Sequence, residues 1–573
     1  MESSRAASLD HDTASSLDSH CPAFSLESHY PVDEQPQQPT PRVVLTDQTN
    51  LALPLAQRLL IFTSLALVMV VSTMDSVIVA AGLPTISAAL GAGSAASWVP
   101  GGYLLMSTAC LPLYGRLSDI FGRKVVLCFA LALFTVGNLL AGFAKSTVQL
   151  VVCRGVAGAG DGGLVSLAQI VIADIVSLRE RGKYQGIVGG FIALGFALGP
   201  IIGGTVSQRV GWQWCFWVTI PVAISVMGIV AFALPFKRVE GNMKSKLLAV
   251  DYPGCAMVLG GCVLVILPIT WGGVSFAWNS AEVLAPLISG IFLLAVLCVW
   301  EWRGASLPII PMYIFKVKTV AGVFIAMFIN GFIFFSSIFY IPQFYQTAHQ
   351  YSPLESAMLL IPLLVSQMAA SWVAGMIVSK TGRYCTIIYT GFGLYALGNG
   401  LLSMVTPSSP KAPAVVYMVI AGCGTGMTLQ TTTVAAQASV ERQDVSVVTS
   451  FRNFVRLLGG TLSVTVGSAI INNSMQSYAS HVLRIPQILI ERILRNPLLL
   501  SMTHGSGLTP EQATSLLEHG YTAGFRAVFI MNACLAGMAT LVALFMISHK
   551  ELTPSQEVRV SVEKTVVKDV EKV

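Results

Sequence analysis

The chain is 573 residues long, 54% apolar and only 11% charged, with a formal net charge of +6 and a mean hydropathy of +0.71. A soluble domain carries about 25% charged residues, so most of this surface faces lipid rather than water. The positive balance does not require nucleic acid, because membrane proteins concentrate Lys and Arg in cytoplasmic loops.

Residues 1–56 are polar and Ser- and Pro-rich, and read as a disordered cytoplasmic tail. No short apolar core with a cleavage site precedes the first span, so no removable signal peptide is expected. Fourteen apolar spans follow, each near the 20 residues a bilayer requires. Their approximate limits are 59–83, 97–115, 124–143, 148–173, 184–206, 214–235, 252–271, 283–302, 319–342, 355–378, 384–404, 413–437, 448–471 and 524–547.

Span 1 carries Asp75 and ends at Pro84. A carboxylate deep in an apolar helix is costly and marks a functional site, or else a structural acid bonded to a neighbouring helix. Between spans 2 and 3 lies Gly115-Arg116-Leu117-Ser118-Asp119-Ile120-Phe121-Gly122-Arg123-Lys124, a tight turn with one acid and three bases. Gly115 and Gly122 allow a sharp turn and close backbone approach. Asp119 can pair with Arg123 or with a cation from elsewhere; such a pair is a gate if it breaks in a second conformation, and otherwise a topology anchor.

Arg154 opens span 4 at a depth similar to that of Asp75, so the two are expected within reach, directly or through water. They form either a switch or a fixed tie between spans 1 and 4. Asp161 lies on the same helix face, two turns deeper. It is a second proton site, a contact for a cationic substrate, or a structural acid. In span 5, Gly195, Gly199, Gly203 and Gly204 permit close helix approach, and Pro200 is expected to kink the helix.

The second half contains Asn330, Phe334, Gln343 and Gln430; with Gln169 of span 4 they are candidates to line a cavity for a large, partly apolar ligand. Within spans 9–14 the one acid is Glu355, the first residue of span 10. After span 13 a long outer loop, 472–523, holds the glycosylation sequon Asn472-Asn473-Ser474, hard against the span. His481–Leu500 reads as a helix on the outer membrane surface. Thr509-Pro510-Glu511-Gln512 reads as a helix start with a capping box.

Eighteen Lys and Arg fall in the six loops on one side, Arg442, Arg452 and Arg456 among them, against three in the six short loops on the other. That asymmetry places both termini in the cytoplasm. All eight histidines fall outside the spans, so a proton path would have to use carboxylates. The eleven cysteines show no zinc-type spacing and read as small buried hydrophobes. There is no Walker-type Gly-x4-Gly-Lys-Ser/Thr loop and no nucleophile with base and orienter, so no enzyme activity is indicated.

An internal repeat emerges at nearly constant offset. Pro84 matches Pro342, Gly122-Arg123 matches Gly382-Arg383, Gly158-Ala159-Gly160 matches Gly422-Cys423-Gly424, and Gly195 matches Gly459. In the second copy of the turn, Ser379 stands where Asp119 would align. The expected division is therefore a tail at 1–56, a six-helix half at 57–236, an inserted pair with linkers at 237–318, a second half at 319–548 and a tail at 549–573.

The 115–124 turn resembles, almost letter for letter, the signature loop of the major facilitator superfamily. Met74 to Pro84 resembles the span-1 signature of its fourteen-helix drug:proton antiporters. Arg154 with Gly155, Gly158 and Gly160 is similar to the span-4 motif; Asp161 departs from it, since the family has a small residue there. Gly195-x3-Gly199-Pro200-x2-Gly203-Gly204 resembles the antiporter motif of exporters. The resemblance covers about residues 57–548, and the last outer loop and tails resemble fungal efflux pumps.

The resemblance implies an all-α major facilitator fold of two parallel six-helix halves plus an inserted central pair. It implies proton-coupled efflux of drugs, azole antifungals or fungal toxins by alternating access. Asp75, Arg154 and Asp161 would couple protons, and Gly115, Arg116, Asp119, Gly122, Arg123 and Lys124 would form the gate. The expected partners are the lipid bilayer, a small-molecule substrate and protons, with no cofactor, metal or nucleic acid. The protein would be a multi-pass monomer of the plasma membrane. The alternatives are a carrier of basic amino acids in the vacuolar membrane and a transporter-like sensor.

Overall fold

A computed structural model of the protein describes residues 54–91, 98–234, 243–272, 276–349, 351–486, 489–490 and 508–550. Most of the tails expected at 1–56 and 549–573 lies outside the described residues; of the surface helix expected at 481–500, residues 481–486 and 489–490 are described, and the chain leaves helical geometry after His481, with Arg484 at a positive φ of 51°.

Among the described residues, thirteen helices are long and apolar enough to cross a membrane. They are α1 (Leu55–Leu90), α3 (Arg123–Ala141), α4 (Thr147–Ile175), α5 (Arg181–Arg209), α6 (Trp214–Ala233), α7 (Tyr252–Trp271) and α8 (Ala281–Arg303), then α9 (Lys318–His349), α10 (Ile361–Thr381), α11 (Cys385–Leu402), α12 (Lys411–Ala438), α13 (Val445–His481) and α14 (Thr522–Met546). The remaining expected span is α2 (Trp98–Phe121), long enough but interrupted by Gly, Ser and Thr and ending in Arg116 and Asp119. The described fold is all-α.

The helices pack by a rule that repeats. In the first half α1 lies on α5, α2 on α4, α3 on α4, and α6 against α1 and α3. In the second half α9 lies on α13, α10 on α12, α11 on α12, and α14 against α9 and α11. Close backbone approach recurs at the matched glycines. A methyl group at Gly195 would run into the Val70 carbonyl, and one at Gly459 into the Phe328 carbonyl. Gly122 and Gly382, which end α2 and α10, both have positive φ, 97° and 73°, a conformation that costs a residue with a Cβ. The halves meet along two seams, α5 on α10 and α2 on α13. The pair α7–α8 touches the α2–α13 seam through α7. Asp251 holds the pair together: its carboxylate caps α7 at the Gly254 amide, 2.9 Å away, and accepts Trp300 Nε1 from α8 at 3.0 Å.

Three expectations are corrected. Pro84 and Pro342 do not end their helices; α1 continues to Leu90 and α9 to His349. A proline removes one backbone hydrogen bond, and membrane helices tolerate this where neighbours support them. Two histidines expected outside the spans, His349 and His481, are the last residues of α9 and α13. Finally, α13 continues ten residues past its expected end, because Ile471, Met475 and Ala479 keep one face buried against the π-helical turn Leu516–Tyr521. The sequon at Asn472 therefore sits in a helix instead of a loop, and the Ser474 hydroxyl donates to the Gly520 carbonyl at 3.0 Å. The capping box at Thr509 is present: its hydroxyl accepts the Gln512 amide and the Gln512 side chain accepts the Thr509 amide.

Candidate functional site

The structure brings Asp75 and Arg154 into direct contact. Arg154 stands seven residues into α4, whose start is capped by Ser146. Its Nη1 lies 2.7 Å from Asp75 Oδ2 and also donates to Asn138 Oδ1 of α3 at 2.9 Å. Its Nη2 donates to the Asp75 carbonyl at 3.2 Å. The Tyr103 ring lies 4.0 Å below the guanidinium carbon, so α1, α2, α3 and α4 all meet at this cation. Both charged side chains are 0% exposed. Asp75 Oδ1 and Arg154 Nε have no hydrogen-bond partner. A buried ion pair without full hydrogen bonding is a weak source of stability but is costly to break one-sidedly. Chemically, a proton on Asp75 would cancel the charge that holds Arg154 to α1.

Asp161, also buried, accepts hydroxyls on both oxygens, from Ser72 of α1 and from Ser107 of α2 at 2.9 Å. It thereby ties α4 to both helices one to two turns from the ion pair. Ser72, Ser107 and Asn138 were not singled out from the sequence. A lone Asn in the Leu- and Val-rich run of α3 was the available signal.

The 115–124 turn forms a latch across the α2–α13 seam. Asp119 Oδ1 is 2.5 Å from Arg123 Nη1, and Arg123 Nε reaches Asp174 of α4 at 2.9 Å. Across the seam, Ser446 donates to Asp119 Oδ2 at 2.6 Å, and Arg116 Nη2 lies 3.8 Å from Asp444, the N-cap residue of α13. Arg116 Nε also donates to the Pro308 carbonyl at 2.8 Å, and Tyr313 donates to Asp444 at 2.7 Å. Gly115 is needed here: a Cβ would press on the Ser446 carbonyl and Val447 Cα. Lys124, next along the turn, is half-buried. Asp119 thus takes a hydroxyl, not a cation, from the other half. At the related seam, Arg179 reaches only the carbonyls of Ser379 and Lys380, both at 3.4 Å.

On α5, Gly195, Gly199 and Gly203 form one stripe against residues 70–78 of α1, the segment that carries Asp75. Pro200 lies inside the helix, and the Gly204 carbonyl accepts Ser207 at 3.3 Å.

The cavity candidates separate into groups. Asn330 donates to Thr428 at 3.0 Å and accepts Arg456 Nε at 3.2 Å. Phe334 stacks edge-on against Phe196 of α5 at 5.2 Å. Gln169 accepts Asn453 Nδ2 at 3.0 Å, which links α4 to α13. Gln430 is buried with its Nε2 unpartnered. Gln343 does not join them, standing thirteen residues along α9 from Asn330, roughly 20 Å. Arg452 and Arg456 require a correction. Both were counted as loop cations, and both lie in α13; Arg452 is 0% exposed. Removing them from the loop count leaves the charge asymmetry standing.

A profile described as Major Facilitator Superfamily matches residues 65–464. The chain is 31% identical over 499 residues to efflux pump dotC of Dothistroma septosporum, covering 87% of this chain and 86% of that one. It is 33% identical over 505 residues to citrate exporter 1 of Yarrowia lipolytica, covering 88% of this chain and 74% of that one. Among solved structures, the proton:xylose symporter XylE superposes with a TM-score of 0.56 at 14% identity, covering 87% of this chain and 97% of that one, a likeness of fold. The matched profile, the efflux-pump relatives and the repeated six-helix packing agree: this chain belongs to the major facilitator superfamily of membrane transporters, and to its fungal efflux-pump type.

Proposed function

We propose that this transporter exports lipophilic small molecules in exchange for protons by alternating access, from the plasma membrane, with both termini cytoplasmic. The observation that carries the reading is the buried Asp75–Arg154 pair with one carboxylate oxygen unpartnered. In the latched state the route is closed at the face of the 115–124 turn, read as cytoplasmic. A proton arriving from the opposite face reaches Asp75, with Asp161 as a second station. Neutral Asp75 loosens Arg154 from α1, and the glycine stripe of α5 lets α1 shift without a side-chain barrier. Proton loss to the cytoplasm restores the pair. The relatives named as an efflux pump and a citrate exporter have export in common. Arg452 and Arg456 disfavour the vacuolar carrier of basic amino acids, since a cationic cargo on α13 would meet two like charges.

The test is accumulation of an azole or fluorescein in pump-deficient yeast expressing wild type or Asp75→Asn, with a tagged copy imaged. Lower accumulation with wild type, lost in the variant at equal surface level, is expected. Equal accumulation in both, with signal on the vacuolar membrane, would overturn the reading.

A further inference from the structure

Arg452 and Arg456 stand one turn apart on α13, hence on one helix face. Among the described residues neither has a carboxylate partner. Guanidinium groups keep their proton, so this half holds two positive charges in an apolar interior with nothing to offset them. Such burial costs several kcal/mol per ion unless a counter-charge arrives. Arg452 is held by uncharged groups: its Nη1 donates to Asn453 Oδ1 at 2.8 Å, and its Nη2 to the Leu429 carbonyl and to Thr432. Arg456 is held less fully. Its Nε donates to Asn330 and its guanidinium lies 5.0 Å from the Phe334 ring centre, while Nη2 has no partner. Arg452 Nε and Gln430 Nε2 are also buried without partners. The unpartnered atoms of Arg452, Arg456 and Gln430 are all donors. Beside them, Phe334 packs on Phe196 from the first half, so the cluster faces the seam between halves.

The repeat shows that the fold does not need these charges. At the offset that relates Gly459 to Gly195, the counterparts of Arg452 and Arg456 are Val188 and Ile192.

We propose that the cargo is an organic anion whose carboxylate docks on Arg456, with Arg452 and Gln430 behind it and its apolar body against Phe196 and Phe334. This rests on the transport reading above and adds the charge of the cargo. The probes are fluorescein, an anionic xanthene carboxylate, and rhodamine 6G, a cationic dye of similar body. Binding is read by fluorescence anisotropy on the purified full-length protein in nanodiscs, with thermal unfolding as the folding control. Wild type is expected to prefer fluorescein at least tenfold. Arg456→Gln should lose about tenfold in fluorescein affinity, the worth of one charge-assisted hydrogen bond, and gain or keep affinity for rhodamine 6G. Arg456→Lys, which keeps the charge, should recover part of the loss. Equal affinity of wild type for both dyes, or an unchanged fluorescein affinity in folded Arg456→Gln, would overturn the proposal. Asp75→Asn separates the two claims: it should bind fluorescein normally and fail only in gradient-driven transport.

Discussion

The chemistry of this protein is concentrated in a few residues that defy their surroundings. Asp75 and Arg154 were legible because charges in apolar runs are rare, and equal depth in neighbouring helices implies contact. Their uncharged partners were not, because Ser, Thr and Asn are common in membrane helices for packing alone. Arg452 and Arg456 were misplaced for a different reason: they stand near the start of span 13, and their charge weighed them toward the adjoining loop although the limits 448–471 already enclosed them. Arg154→Gln would leave Asp75 buried without its counter-ion, at a cost of about 3–5 kcal/mol. The double variant Asp75→Asn/Arg154→Gln should recover most of that loss. Chemical or thermal unfolding in detergent checks both; a single variant as stable as wild type would show that the pair is not structural.

At the scale of elements, the latch joins α2 to α13 through one ion pair and one hydroxyl, so it can be opened by small changes. Spin labels on the ends of α2 and α13 would read opening as a distance distribution that lengthens. Asp444→Asn, which removes the ion pair with Arg116, and Ser446→Ala, which removes the hydroxyl to Asp119, should each lengthen it; distributions unchanged in both variants would show that these contacts do not hold the seam. The helix ends at Pro84 and Pro342 were misread at both repeat positions for one shared reason. A proline cue taken from soluble helices weakens where packed neighbours support the broken backbone.

At the scale of the whole molecule, the scaffold is duplicated and the chemistry is not. The glycine contacts, the turn glycines and the packing order recur in both halves. The duplication was legible because small residues at fixed offsets survive wherever backbones must touch. Gly195→Ala and Gly459→Ala should therefore destabilise alike, by about 1–3 kcal/mol each, read as the fraction surviving heating on size exclusion. By contrast, the first half holds Asp75, Arg154 and Asp161, and the second holds Arg452 and Arg456 without an acid in helices α9 to α14. On the reading proposed above, this division gives the proton to one half and the cargo to the other, coupled by the relative movement of the halves.

The central claim is that protons drive transport through Asp75. Its most direct test is fluorescein flux into proteoliposomes under an imposed acid-inside gradient, with protein-free vesicles subtracted. The account predicts accumulation with wild type, and in Asp75→Asn exchange of dye for dye without gradient-driven accumulation. Equal gradient-driven accumulation in both proteins would contradict it.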